Sequence, residues 1–141
     1  MTETSTPVPA VGVICLRGDQ VLLIRRGAEP RLGEWSLPGG RIEYGERAAD
    51  AALRELREGT GVEAEITGLV DVVDGLFPPR HYVLIDYAAR WLSGEPRAGD
   101  DAAEAAFFPL ERALDLVAWE ETRRVISRTA SLFGGGPSTE R

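Results

Sequence analysis

The chain contains no lysine and no asparagine, and it has one cysteine, Cys15, and one histidine, His81. Without lysine there is no Schiff-base chemistry and no Walker-type phosphate lysine. Without a second cysteine or histidine, one chain can form neither an internal disulfide nor a multi-histidine or thiolate metal centre. Cys15 stands in the apolar stretch 11–16 and reads as a small buried hydrophobe. No apolar run approaches the ~20 residues that span a bilayer. The stretch 1–13 also lacks the basic and unbroken apolar regions of a signal peptide, so a cytoplasmic protein without a membrane partner is expected. Positive charge is in deficit too. A net charge of -7 argues against a duplex nucleic acid partner, which a basic face would normally meet.

What the sequence does have is carboxylate. Fifteen glutamates and eight aspartates face sixteen arginines, and hard oxygen ligands of this kind suit magnesium, manganese or calcium rather than zinc or copper. At 141 residues, with 43% hydrophobic and 28% charged side chains, the chain fits one soluble domain. Residues 1–9 read as a loose arm, 10–133 as the domain and 134–141 as a tail.

Within the domain, residues 10–16 and 20–24 predict a hairpin about Gly18-Asp19. Pro38-Gly39-Gly40 predicts a break in regular structure. Residues 46–58, free of proline and glycine and rich in Ala, Leu, Arg and Glu, predict a helix. Its apolar stripe comprises Ala48, Ala52 and Leu56 with Ala49 and Leu53, and Gly59 or Gly61 takes the left-handed cap. Strands are expected over 62–73 and 81–92, separated by a loop at 74–79, followed by a short strand at 105–108. A helical turn over 110–116 and a helix over 119–132 with Val125, Ile126 and Thr129 inward complete the chain. Interspersed strands and helices place it in the α/β or α+β class, with helices packed against a mixed β-sheet.

The chemistry concentrates between Gly40 and Val62. A diglycine turn lets backbone groups approach a ligand, and Glu55 and Glu58, at i and i+3 on the predicted helix, share one face where both can grip a cation. Arg54 can pair with Glu46 and hold that acidic face in register.

This segment resembles the Nudix box: Gly40, Glu46, Arg54, Glu55, Leu56, Glu58, Gly61 and Val62 fall in register with Gly, five residues, Glu, seven residues, Arg-Glu-aliphatic-any-Glu-Glu-any-Gly-aliphatic. The resemblance implies a mixed sheet sandwiched between helices and hydrolysis of a nucleoside diphosphate linked to another moiety. It also implies Mg2+, with Mn2+ as a substitute, neutralising the diphosphate and activating a water. It makes the Gly40 carbonyl, Glu55 and Glu58 metal ligands, with Glu55 or Glu58 also a candidate general base and Arg54 a part of the catalytic set. A further acid commonly arrives from a later loop, and Glu104 is the candidate, ahead of Asp100 and Asp101. Glu43 is a weaker one.

One box position fails, because Gly59 stands where the family has a second glutamate. A hydrogen cannot coordinate a cation, so weakened metal binding and turnover are expected.

Arg25 and Arg26 can offer bidentate forks to a phosphate or ribose, Trp35 can stack on a base, and Gly39, Gly40 and His81 are further substrate-binding candidates. Trp91 and Trp119 read as packing residues. The style of the box and of residues 80–91 resembles bacterial ADP-ribose pyrophosphatase-like members. A house-cleaning nucleoside triphosphate pyrophosphohydrolase and a nucleotide-binding module of the same fold are the alternatives. Family members frequently pair, so a homodimer is expected.

Overall fold

A computed structural model describes residues 6–29, 31–99 and 101–134. Strands β1 (Val8–Arg17) and β2 (Gln20–Arg26) form the expected hairpin, with Gly18-Asp19 at its turn. β1 begins at Val8, within the stretch expected to be an arm, while residues 1–5 and 135–141 lie outside the described residues.

Two short strands follow, β3 (Trp35–Ser36) beside β2 and β4 (Gly39–Arg41) beside β1. The expected break at Pro38-Gly39-Gly40 is thus a strand, with Gly39 and Gly40 opposite Gly12 and Val11. Missing side chains permit this pairing. A Cβ on Gly39 would stand 2.1 Å from the Val11 carbonyl oxygen.

Helix α1 (Ala48–Thr60) starts two residues later than expected, because the backbone at its N-cap Arg47 is extended, and the preceding Glu46 carboxylate accepts from Arg54 and from the Glu43 N–H. Ala51, Ala52, Leu56 and Thr60 are its buried positions. Its end is set by Gly61 at φ 77°, whose N–H donates to the Arg57 carbonyl. The N–H groups of Arg97 and Gly99 then donate to the Thr60 and Gly59 carbonyls, 2.9 Å each, satisfying two carbonyls that the helix leaves open.

β5 (Glu63–Phe77) and β6 (Arg80–Ser93) make a long antiparallel hairpin. The expected 74–79 loop shrinks to Pro78-Pro79. Val73 and Gly75 remain buried while Asp74 and Leu76 remain exposed, so the period of two runs on through residues whose composition signals a turn. β7 (Ala102–Pro109) pairs with β2, and α2 (Leu110–Leu116) and α3 (Glu120–Phe133) complete the chain.

The sheet runs β3-β2-β1-β6-β5, with β4 on β1 and β7 on β2. β1 and β6 are parallel and the other pairs antiparallel. Alternation along β1 divides two cores. Val11, Val13 and Cys15 meet Ala52 and Leu56 of α1, while Ile14, with Val21 and Leu23, meets Ala113, Val125 and Ile126 of α2 and α3. The molecule is therefore the α+β sandwich that the sequence predicts, with α1 on one face and α2 and α3 on the other.

Candidate active site

Glu55 and Glu58 emerge from the third turn of α1 beside β4. The two are held by one side chain. Arg54 Nη1 donates to Glu55 Oε2 and to Glu58 Oε1, each at 3.1 Å. The same guanidinium forks onto Glu46 at 2.6 and 2.9 Å and donates to the Arg41 carbonyl at 3.1 Å, so it ties α1 to the strand that precedes it. Glu43 lies 4.0 Å away. The expected Arg54–Glu46 pair is present in the bidentate geometry that arginine favours.

These contacts divide the acids by proton affinity. Hydrogen bonds from Arg54 hold Glu46 down at about 2, with the Glu43 N–H adding to the effect. Burial pushes Glu55 above the usual carboxylate range, against the pull of Arg54 and with the negative charges of Glu58 and Glu43 adding to the rise. Glu46 is thus held as an anion, whereas burial makes Glu55 easier to protonate than an ordinary carboxylate.

The Glu55 carboxyl also presses on the diglycine strand: a Cβ on Gly40 would stand 2.3 Å from its carboxyl carbon. Two carboxylate oxygens that already converge on one cationic nitrogen, next to exposed backbone, fit a divalent cation. Among the described residues no three acids gather as a complete ligand set. Gly59 is the box position that departs from the family pattern. It occupies the last turn of α1, one turn beyond Glu55, and a Cβ there meets nothing within 4 Å.

A cleft of about 540 Å³ opens beside this edge and runs from Glu55, Glu43 and Gly40 to Phe77, Trp119 and Asp86. Its size suits a small nucleotide-like ligand. Of the substrate-binding candidates, Arg26, Trp35, Gly39 and Gly40 line it. Trp35 stands edge-on to Phe108, centroids 5.1 Å apart.

Other candidates lie elsewhere. Arg25 donates to Glu104 at 2.9 Å across the β2–β7 pairing, and neither lines the cleft. The register sets the two side chains opposite each other. Asp101 of the same segment does line the cleft, whereas Asp100 lies outside the described residues. His81, at the far end of the β5–β6 hairpin, contacts Asp74 at 3.2 Å and is not part of the lining.

Several residues of the cleft are not singled out by the sequence. Trp119 packs against the core as expected and also lines the cleft, its ring edge-on to Phe77 at the start of α3, centroids 5.1 Å apart. Arg31, in the left-handed region at φ 64°, lies 5.2 and 5.9 Å from the centroids of these two rings. Asp86 had one signal, a single acid inside the apolar stretch 82–89. Trp91 does pack, with the Arg17 guanidinium 5.1 Å above its ring. Cys15 is fully buried, and that burial pushes its thiol up to about 12, consistent with an inert core residue.

Comparison with known proteins places these features. A model of the NUDIX domain matches residues 6–129. An ADP-ribose pyrophosphatase of Methanocaldococcus jannaschii is 38% identical over 106 residues, 74% of this chain and 63% of that protein. An 8-oxo-dGTP diphosphatase of Escherichia coli is 33% identical over 88 residues, 62% of this chain and 68% of that protein. The chain thus spans about two thirds or less of these relatives. Among solved structures, a MutT NUDIX hydrolase from Burkholderia pseudomallei has a TM-score of 0.75 at 31% identity, covering 87% of this chain and 98% of that one. The NUDIX domain of Shewanella oneidensis NrtR, complexed with ADP ribose, has a TM-score of 0.79 at 21% identity, covering 93% and 98%, and shares the fold. With its box in register on the strand-loop-helix that carries Gly40, Glu55 and Glu58, the chain belongs to the NUDIX domain family.

Proposed function

We propose that the protein is a divalent-metal-dependent hydrolase of the pyrophosphate linkage in a nucleoside diphosphate derivative of the ADP-ribose class. The observation that carries this reading is the convergence of Glu55 and Glu58 on one positive charge at the lip of the cleft. The similarity to an ADP-ribose pyrophosphatase supports the substrate class.

In this reading Glu55, Glu58 and the Gly40 backbone hold Mg2+ or Mn2+. Bound there, the ion supplies charge neutralisation for the diphosphate and a lowered pKa for water. Arg54 keeps both carboxylates aimed at one point, and Glu46 keeps Arg54 in place. Glu55 or Glu58 would accept the proton released as water attacks phosphorus. Arg26 faces the cleft as a fork for phosphate or ribose, and Trp119 and Phe77 offer apolar ring surface for a base. Gly59 leaves the cation short of a carboxylate, so turnover is slow.

A nucleoside triphosphate pyrophosphohydrolase is the second reading, supported by the similarity to the 8-oxo-dGTP diphosphatase. Products decide between them. ADP-ribose-like substrates yield a nucleoside monophosphate and a sugar phosphate, whereas triphosphates yield inorganic pyrophosphate. A panel of both classes, with Mg2+ or Mn2+ and with chelator, tests the proposal. Metal-dependent sugar phosphate release supports it, and binding without cleavage under Mn2+ identifies a binding module instead.

Exposed Leu69, Val72 and Leu76 on the edge strand β5 support a homodimer, which light scattering would detect.

A further inference from the structure

Asp86 sits in the middle of β6, on the sheet face covered by α3, with 5% of its surface exposed. Among the described residues no hydrogen bond or ion pair reaches its carboxyl. A carboxyl buried without partners costs stability and contributes nothing to the fold, so its position calls for a ligand.

The surroundings give that ligand a shape. Asp86 lies opposite Gly12 of β1, and a Cβ on Gly12 would stand 2.4 Å from Asp86 Oδ1, so glycine there makes room for the carboxyl. Gly12 in turn lies opposite Gly39 of β4. The row Asp86, Gly12, Gly39 spans two strand spacings, about 10 Å between backbones, with the Asp86 side chain on the α3 face and Glu55 on the α1 face. Asp86 shares the cleft with Phe77 and Trp119. The cleft therefore holds ring surface, a buried carboxyl and the diglycine edge together.

The charged groups that face Asp86 are engaged with one another. Asp71 of β5, its cross-strand partner, accepts from Arg124 of α3 at 2.8 Å and from the Val72 N–H at 2.7 Å. Arg124 also donates to Glu121 of α3, at 2.9 Å and 2.6 Å. β1 presents only Gly12. Burial pushes Asp86 up to about 7, the charges of Asp71 and Glu121 adding to the rise and Arg124 opposing it.

We propose that Asp86 is the base-reading residue of the cleft, and that its protonation state sets the purine preference: an adenine edge when protonated, a guanine edge when ionised. A protonated carboxyl offers one donor and one acceptor, matching the adenine amino group and an adjacent ring nitrogen. An ionised carboxylate offers two acceptors, matching the guanine ring N–H and amino group. The assignment rests on the nucleotide reading above and adds the base to it.

Binding of α,β-methylene ADP and α,β-methylene GDP in the presence of Mg2+, measured by calorimetry from pH 5.5 to pH 8.5, tests it. The two analogues carry the same methylene diphosphate, whose own titration cancels in the ratio of affinities. In the wild-type protein that ratio shifts toward guanine at least tenfold across the range. In Asp86→Asn, whose amide keeps one donor and one acceptor at every pH, the ratio stays flat and favours adenine. Gly12→Ala, which displaces the carboxyl, weakens both analogues, and far-UV circular dichroism verifies the fold of each variant. A wild-type ratio that does not move with pH, or one that moves equally in Asp86→Asn, overturns the assignment while leaving the nucleotide reading intact. Wild-type protein that binds neither analogue overturns both.

Discussion

The carboxyl of Glu55 rests directly against Gly40, with its carbon 2.3 Å from where a Cβ would be. Helix α1 and strand β4 thereby meet at a contact made by the side chain proposed to hold the metal and the backbone beside it.

Two adjacent glycines should consequently fail in different ways. In Gly40→Ala the obstacle is the far end of a flexible side chain, so Glu55 moves and kcat/KM falls ~100-fold while Tm changes little. In Gly39→Ala the obstacle is the Val11 carbonyl at 2.1 Å, so the β1–β4 pairing separates and Tm falls by several degrees. Thermal unfolding beside steady-state kinetics checks the contrast.

Arg54→Lys preserves the charge but loses the fork that holds Glu46, Glu55 and Glu58 together. Groups that orient metal ligands are typically worth ~10- to 100-fold in activity or metal affinity, and a loss of that size is expected. The same substitution should bring Glu46 back toward the ordinary carboxylate range. Side-chain NMR titration of Glu46 would show its midpoint rising from about 2.

Gly59→Glu is sterically free, because a Cβ there meets nothing within 4 Å. It returns a carboxylate one turn after Glu55 and adds ~0.5 kcal/mol of helix propensity. Mg2+ affinity and kcat should both rise at least tenfold, as read by calorimetry and product release.

The helix, its two acids and the Arg54–Glu46 pair were legible because helical spacing and the box fix them locally. The same punctuation narrowed the left-handed cap to Gly59 or Gly61, and the structure places it at Gly61. Strand β4 was hidden, because Pro38-Gly39-Gly40 signals a break unless a neighbouring strand approaches closely enough to need glycine. Glu104, expected from loop order as a further acid, pairs across strands with Arg25, a contact that loop order does not encode. Trp119 and Asp86 depend on how β5, β6 and α3 meet, a tertiary juxtaposition that no local pattern encodes.

Stability should carry the mark of Asp86. Its ordinary value is 3.8 and its folded value about 7, so between those values the native state holds a proton that the unfolded chain has lost. Stability attributable to this group is therefore greatest below pH 4, declines as pH rises toward 7 and stays low above it. Asp86→Asn removes that decline. The variant should match the wild type near pH 4 and exceed it at pH 8 by on the order of 4 kcal/mol, as read by urea unfolding at the two pH values.

Titration of Mn2+ followed by electron paramagnetic resonance, in the wild type and in Glu55→Gln and Glu58→Gln, tests the assignment of the acidic helix edge most directly. The account predicts saturable binding in the wild type and at least tenfold weaker binding in each variant. Equal binding in all three proteins, or none in the wild type with nucleotide present, would contradict it.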